Sequence, residues 1–306
     1  MKMRVIDLKK LTKIATSLTM ALCVMRNEGA IHADIKPENC LIRIQKSTGE
    51  SGDGVNNGIN GVSSANNSLR SASPQLSISS ASILLSDGSN SLPENFELRL
   101  GDFGNSIHIT DVSEYYTDFD IQTLSYRAPE VLLGIPFGHQ IDVWSLGILL
   151  IEICIGKPLF VVRTRQELYN AICLKLTVPP RVRFAGGMFS ELLIGSEKSK
   201  LESPNWGDPA TLSPSPSSSS SSLISLNTKI NFAEHLSSVK KLLESSVDSP
   251  PNDLVHFLAG LLHPDPDYRL TAVDAHNHPF IAAGLNVPLC MTGVCGLLLA
   301  RYLLSS

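Results

Sequence analysis

The stretch IDVWSLGILLIEICI, from Ile141 to Ile155, constrains the fold more than any other part of the chain. Its residues are apolar nearly all around a helix, and the run stops at Gly156. It is shorter than the roughly 20 residues that a helix needs to cross a bilayer. A helix of this kind has to be covered by protein on all sides, which predicts a domain with a large core.

Other segments of the chain carry the periodicities of helices and short strands. Residues 7–28, 252–262 and 271–280 have apolar side chains at helical spacing. The stretch CLIRIQ (40–45) predicts a short strand, and FELRL (96–100) alternates apolar and polar residues in the manner of a half-buried strand. Because helices outnumber strands, we predict a mainly α fold of the α+β type.

Two low-complexity segments interrupt these patterns, at about 46–94 and about 195–228. The first is rich in Ser, Asn and Gly, and the second contains LSPSPSSSSSS. Such compositions bury too little apolar area to offset the chain entropy, so both segments are predicted to be disordered insertions. The cost of closing a loop grows only with the logarithm of its length, so a domain can tolerate them.

Composition limits the class of partner and the compartment. The net charge of −4 and the pI of about 6.1 give no reason to expect a nucleic-acid partner. The six cysteines form no CxxC pair, which predicts reduced core thiols in an intracellular protein, in the cytoplasm or the nucleus.

The stretch HADIKPEN (32–39) concentrates side chains that suit phosphoryl transfer. That reaction needs an oriented acceptor hydroxyl, metal ions held across the phosphates and neutralised charge. Asp34 can accept the hydroxyl proton, and Lys36 can reach the γ-phosphate of ATP. Asn39 offers a neutral oxygen to Mg²⁺, and Asp102, directly after the predicted strand FELRL, offers a carboxylate.

Four motifs occur in an order that resembles the eukaryotic protein kinases: HxDxKPEN, DFG (102–104), APE (128–130) and DVWSLG (142–147). The resemblance covers about residues 7–283 and implies the helical C-terminal lobe of a kinase, with ATP and Mg²⁺ as cofactors and proteins as substrates. No glycine-rich loop and no strand lysine precede residue 32, so the N-terminal lobe is expected to be absent.

The resemblance implies a catalytic role for five residues of this chain. Asp34 resembles the catalytic base, and Lys36 resembles the phosphate contact. Asn39 and Asp102 resemble the magnesium ligands. Thr123, in TLSYRAPE, resembles the threonine that steadies the base and the lysine in serine/threonine kinases.

Five further residues are implied to be structural. His32 and Phe103 would stack in the internal hydrophobic spine of the family. Glu130 would pair with Arg269 and hold the lobe together. Asp142 would bind the backbone of the catalytic loop.

Several stretches refine the resemblance to a subgroup. DIKPEN favours serine/threonine transfer, and YRAPEVLLG, GKPLF and LTVPP resemble the CMGC group. Ala33 stands where most kinases have arginine, and in this feature the chain is similar to the DYRK, HIPK and pre-mRNA-processing kinases. Asp120 stands where DYRK relatives carry an autophosphorylated tyrosine; it is either a built-in negative charge or a solvated loop aspartate.

We therefore expect a serine/threonine protein kinase of which this chain is an N-terminally truncated form, inactive alone. The alternative is a non-catalytic C-lobe module that serves interaction or scaffolding. The kinase domain is expected over 1–284, followed by an apolar tail over 285–306. Residues 287–304 allow a membrane anchor, a helix packed on the lobe or sequence misread from beyond an exon, and the anchor is less favoured than the other two taken together.

Overall fold

The computed structural model describes residues 7–44, 92–93, 95–116, 120–176 and 232–285. The helices of these ranges are α1 (Leu8–Asn27), α2 (Pro129–Leu133), α3 (Gln140–Ile155), α4 (Arg165–Leu176), α5 (Phe232–Glu244), α6 (Asn252–Leu261), α7 (Ala272–His276) and α8 (Pro279–Leu285). The strands are β1 (Ala30–Ile31), β2 (Cys40–Ile44), β3 (Phe96–Leu100) and β4 (Ile107–His108). Short 3₁₀ turns cover Pro37–Asn39, Phe103–Asn105, Val112–Tyr115 and Leu124–Tyr126. The predicted mainly helical fold is confirmed.

Helix α3 lies at the centre of the core, as its all-round apolar sequence predicts. Every residue from Ile141 to Ile155 is buried, and the helix ends at Gly156 in a left-handed conformation with φ of 68°. It contacts α1, α5 and α6. A side chain at Gly147 would come within 2.8 Å of Leu262, so glycine permits the close approach of α3 to the end of α6.

Helix α1 packs against α3, α7 and α8 with the apolar side that its spacing predicts. The aspartate before it, Asp7, caps the helix by accepting a hydrogen bond from the backbone N–H of Lys9 at 3.0 Å. The sequence predicted a single helix over 271–280, whereas the structure has two helices in this region, α7 and α8. Pro279 lacks the N–H that a continuing helix requires and instead begins α8.

The strands form two antiparallel pairs at the edge of the helical core. Strand β2 pairs with β3 from Cys40 opposite Leu100 to Ile44 opposite Phe96, and β1 pairs with β4. In β3 the alternate apolar residues are buried while Arg99 is exposed, which confirms the predicted half-buried strand. The ends of β1 and β3 lead directly into the segments that carry Asp34 and Asp102.

The remaining predictions lie mainly outside the described residues. The proposed insertions at 46–94 and 195–228 fall there, apart from residues 92–93, in which Leu92 is buried in the core. The apolar stretch 287–304 is also outside. Among the described residues, no helix combines the length and the apolar character needed to cross a membrane.

Candidate functional site: the Asp34 loop and its surroundings

The backbone of the loop after β1 is held by the first turn of α3. The carboxylate of Asp142 accepts hydrogen bonds from the backbone N–H groups of His32, at 2.7 Å, and Ala33, at 2.9 Å. Ala33 has a left-handed backbone with φ of 63°, which is unfavourable for a residue with a Cβ. Burial raises the pKa of Asp142 to about 7, although the two backbone hydrogen bonds by themselves lower it. The core helix therefore fixes a strained loop through one buried carboxyl group.

The imidazole of His32 links this loop to the segment after β3. Its Nε2 lies 3.1 Å from the carbonyl oxygen of Gly101, and the backbone N–H of Asp34 donates to its Nδ1 at 3.2 Å. Because a carbonyl only accepts, Nε2 carries the proton and Nδ1 is the acceptor. Burial lowers the pKa of His32, which favours this neutral form. The ring meets Phe103 edge to face, with centroids 5.2 Å apart, rather than in the expected stack.

The carboxylate of Asp34 is surrounded by hydrogen-bond donors. Thr123 Oγ1 donates to Oδ1 at 2.7 Å, and Lys36 Nζ donates to Oδ2 at 2.8 Å and to Thr123 Oγ1 at 3.0 Å. Asn39 Nδ2 and Asn105 Nδ2 reach Oδ2 at 3.2 and 3.4 Å. Burial by itself raises the pKa of Asp34, but the hydrogen bonds from Lys36 and Thr123 outweigh it and hold the pKa below its usual value. Asp34 is thus an ionised, oriented acceptor.

Asn39 and Asp102, the predicted magnesium ligands, lie on segments that contact each other. The backbone N–H of Gly101 donates to the carbonyl of Asn39 at 2.9 Å. The amide nitrogen of Asn39 donates to the carbonyl of Asp34 at 2.8 Å, so the amide oxygen of Asn39 points away from that carbonyl. Asp102 is exposed, and one of its oxygens makes only a long contact of 3.4 Å with the N–H of Gly104. Carboxylate and amide oxygens are ligand types that suit Mg²⁺.

Glu130 and Arg269 form a buried ion pair beneath the site. The guanidinium donates to the two carboxylate oxygens of Glu130 at 2.6 and 2.9 Å, and the two side chains are 1% and 0% exposed. The guanidinium also lies over the ring of Trp144 at 5.0 Å. Its remaining contacts are the backbone carbonyls of Gln140, His263 and Pro264. The pair joins the start of α2 to the segment that follows α6.

Gln122 is a residue that the motifs do not single out, although it lies next to Thr123. It has a left-handed backbone with φ of 64° and is buried. Its amide nitrogen donates to Ile141 O at 2.9 Å and Ser145 Oγ at 2.7 Å, while its amide oxygen accepts from the N–H of Ala128 at 2.8 Å. The side chain therefore attaches the segment that carries Thr123 to α3. A glutamine in a loop gives no local signal of such a role.

A cleft of about 530 Å³ opens above these groups. Asp34, Lys36 and Thr123 line one part of it, and Ile121 and Leu124 add apolar surface. A charged group beside apolar walls is a lining that suits a bound ligand.

Comparison with known proteins assigns the chain to a family. Over residues 80–281, more than half of the chain, the sequence matches the protein kinase domain. The matched range includes Asp102, Glu130, Asp142 and Arg269. The chain belongs to the protein kinase family.

Individual kinases resemble the chain at lower identity. It is 28% identical over 273 residues to the serine/threonine-protein kinase AFC1 of Arabidopsis thaliana, an alignment that covers 88% of this chain and 48% of AFC1. It is 25% identical over 304 residues to the dual specificity protein kinase YAK1 of Saccharomyces cerevisiae, covering 90% of this chain and 29% of YAK1. These relatives confirm the predicted resemblance to the CMGC group.

A third relative extends the similarity to the Asp34 loop. The putative dual specificity tyrosine-phosphorylation-regulated kinase 3 homolog of Drosophila melanogaster is 26% identical over 291 residues, covering 95% of this chain and 28% of the relative. Since so little of this chain lies outside that alignment, residues 32–39 fall within it. The chain spans less than half the length of each of these three relatives.

Proposed function

We propose that this chain serves in the transfer of the γ-phosphoryl group of ATP to serine or threonine hydroxyls of proteins. The observation that supports it best is the group formed by Asp34, Lys36 and Thr123, whose polar atoms lie 2.7 to 3.0 Å apart beside a cleft. Positioning and charge neutralisation supply nearly all of the catalysis in this reaction, and these three side chains are already positioned.

In the proposed reaction the acceptor hydroxyl oxygen forms a bond to the γ-phosphorus, and the bond from that phosphorus to the β,γ-bridging oxygen breaks. The hydroxyl proton passes to the carboxylate of Asp34, which is ionised and therefore able to take it. Lys36 neutralises charge on the transferred group, and Thr123 keeps the carboxylate and the ammonium in register. ADP leaves as the second product.

Magnesium would be held by the exposed carboxylate of Asp102 and by the amide oxygen of Asn39, a buried side chain whose amide nitrogen is bound to Asp34. When bound, the ion neutralises phosphate charge. In our proposal Asn39 has a double function, because its amide nitrogen orients Asp34 while its amide oxygen is left for the ion.

The finer proposal is that the chain is inactive until a nucleotide-binding lobe accompanies it. The exposed side chains of Leu41 and Phe103, at 55% and 54%, support it. Leu41 packs against the position of Gly101, directly before Asp102 and Phe103, so apolar surface is uncovered beside the proposed magnesium ligands. A lobe that clamps the phosphates is worth more than the roughly 2.7–4 kcal/mol of a single stabilising donor.

The test compares the chain with a chimera in which the nucleotide-binding lobe of an active protein kinase precedes residue 7. Each is given labelled ATP, Mg²⁺ and a set of serine, threonine and tyrosine peptides. We expect no transfer by the chain alone and transfer to serine or threonine by the chimera. Asp34→Asn in the chimera should lower the rate by about 100- to 10,000-fold.

Asp111→Asn is the matched control, because Asp111 is an exposed loop carboxylate that accepts from Thr110 at 2.7 Å and touches none of the proposed catalytic groups. Its rate should equal that of the parent chimera. A chimera whose activity survives Asp34→Asn would contradict the proposed base, and transfer by the chain alone would contradict only the finer proposal.

The same exposed surface at Leu41 and Phe103 favours a second candidate, an interaction module that never handles ATP. In that case a protein partner covers the surface. Asp34→Ala would leave such binding unchanged, whereas Leu41→Asp would weaken it. An intracellular location, in the cytoplasm or nucleus, stays a prediction for both candidates.

A further inference from the structure

The carboxylate of Asp120 bridges two arginines from different parts of the chain. Its Oδ1 accepts from Arg127 Nη1 at 3.1 Å and from Arg165 Nη2 at 2.8 Å. Asp120 is 79% exposed, whereas the side chain of Arg127 is 5% exposed and that of Arg165 is 25% exposed. Arg127 and Arg165 lower the pKa of Asp120, so the carboxylate is ionised at neutral pH.

Arg127 is the member of this group that most needs a counter-charge. A buried guanidinium without one carries a large desolvation penalty. Its Nε and Nη2 donate to the backbone carbonyl of Gln122 at 3.3 and 2.9 Å, which satisfies donors but adds no charge. Asp120 supplies the charge on the remaining side.

The bridge connects the catalytic group to two helices. Gln122 takes its left-handed conformation with its carbonyl bound to Arg127, and the next residue, Thr123, donates to Asp34 at 2.7 Å. Arg165, on α4, also donates to the carbonyl of Leu132 at the end of α2 at 3.2 Å. Asp120 is thus linked through Arg127 to the segment that carries Thr123.

We propose that Asp120 is a positioning residue whose permanent charge holds segment 120–127 against Arg127 and Arg165, and so holds Thr123 on Asp34. This inference rests on the proposed function for its catalytic consequence. Phosphorylation orders the activation segments of many kinases by adding a charge that pairs with arginine. Here a side chain of the segment itself carries that charge, so the arrangement requires no modification at this position.

The first measurement is hydrogen exchange of the full chain, followed in the peptide that covers residues 120–128. Asp120→Asn keeps the shape of the side chain and removes its charge. Because Asp120 is largely exposed, we expect a modest effect, an increase of about 5- to 10-fold in the exchange rate. Asp111→Asn is the control and should leave this peptide unchanged, and Asp120→Glu should restore most of the protection.

A double-mutant cycle separates a bridge from two unrelated effects. Arg165→Gln should raise the exchange rate of the same peptide. In the double variant Asp120→Asn/Arg165→Gln, the exchange rate should exceed that of the faster single variant by less than about 2-fold. Exchange in Asp120→Asn equal to that of Asp111→Asn would overturn the proposal. Independent, multiplying effects of the two single substitutions would overturn it as well.

Exchange needs no catalysis, so its result is separate from the test of Asp34. In the active chimera, Asp120→Asn should both raise KM for the peptide substrate and lower kcat, because Thr123 loses its position. We expect the change in kcat to be about 10-fold. Asp120→Glu should recover both values. Altered exchange with unaltered kcat and KM would overturn the catalytic part of the inference, whereas an inactive chimera would count against the proposed function alone.

Discussion

The loop that carries Asp34 and the segment that carries Asp102 lie side by side but are built in opposite ways. Asp34 is buried and held by donors from Lys36, Thr123 and Asn39, and the loop beneath it is fixed by Asp142. Asp102 is exposed, with one long contact of 3.4 Å to the segment's own backbone.

The difference shows which of the two segments has its side chains held in place by the helical core. The side that would bind the acceptor in the proposed reaction is preorganised, because its groups are attached to α3 through buried hydrogen bonds and need no rearrangement when the reaction occurs. The side that would face magnesium and nucleotide in the proposed reaction is left open by the described residues. Substitutions in the first region should therefore affect folding and activity, and those in the second should affect activity alone.

The largest effect is expected at the buried pair below α2. Arg269→Ala leaves the carboxylate of Glu130 uncompensated in the core, which should lower the free energy of unfolding by about 3–5 kcal/mol. Urea unfolding followed by circular dichroism measures it. Lys240→Ala is the control, since its ion pair with Glu244 is exposed and 3.9 Å long, and should cost about 0.5 kcal/mol or less. Equal losses of unfolding free energy in the two variants would contradict the expectation that the buried ion pair contributes more to stability than the exposed one.

The next effect concerns Asp142 and is visible in the dependence of stability on pH. Burial raises its pKa from 3.8 to about 7, so between these values the folded chain holds a proton that the unfolded chain has released. The stability that this proton contributes is complete below pH 3.8 and is lost as the pH rises to about 7.

Asp142→Asn removes this titration and one of two backbone acceptors. We expect a loss of about 1–3 kcal/mol and a shallower fall of stability with rising pH across that window. Burial also raises the pKa of Glu152, so the difference between the two chains, rather than either slope alone, reports on Asp142. Parallel pH profiles would show that Asp142 is already ionised in the folded chain.

Local patterns predicted helices α1, α3, α6 and α7 and strands β2 and β3, but not α2, α4, α5, α8, β1 or β4. Helix α1, helix α3 and strand β3 follow from apolar periodicity, because each buries one side or all sides of a regular element. The break between α7 and α8 was missed because the apolar pattern continues across Pro279, and only the missing N–H interrupts the helix.

Contacts between distant residues could not be predicted from local patterns. The pairing of Glu130 with Arg269 came from resemblance alone, since the two residues are 139 positions apart. The attachment of Asp120 to Arg165, 45 positions away, and the insertion of Gln122 against α3 were not foreseen. Such contacts depend on how helices pack, and a polar residue in a loop carries no periodic signal of them.

The smallest effect on stability is expected at Asp102, where the comparison is sharpest. Its side chain is exposed, so Asp102→Asn should change the free energy of unfolding by less than about 0.5 kcal/mol. The same substitution removes a charged oxygen from the proposed Mg²⁺ ligands, and in the chimera it should lower phosphotransfer by at least about 100-fold. Urea unfolding and the peptide assay, run on the same preparation, measure the two quantities. A loss of stability as large as that of Asp142→Asn would mean that Asp102 belongs to the preorganised half of the site, and the contrast between the two regions would fail.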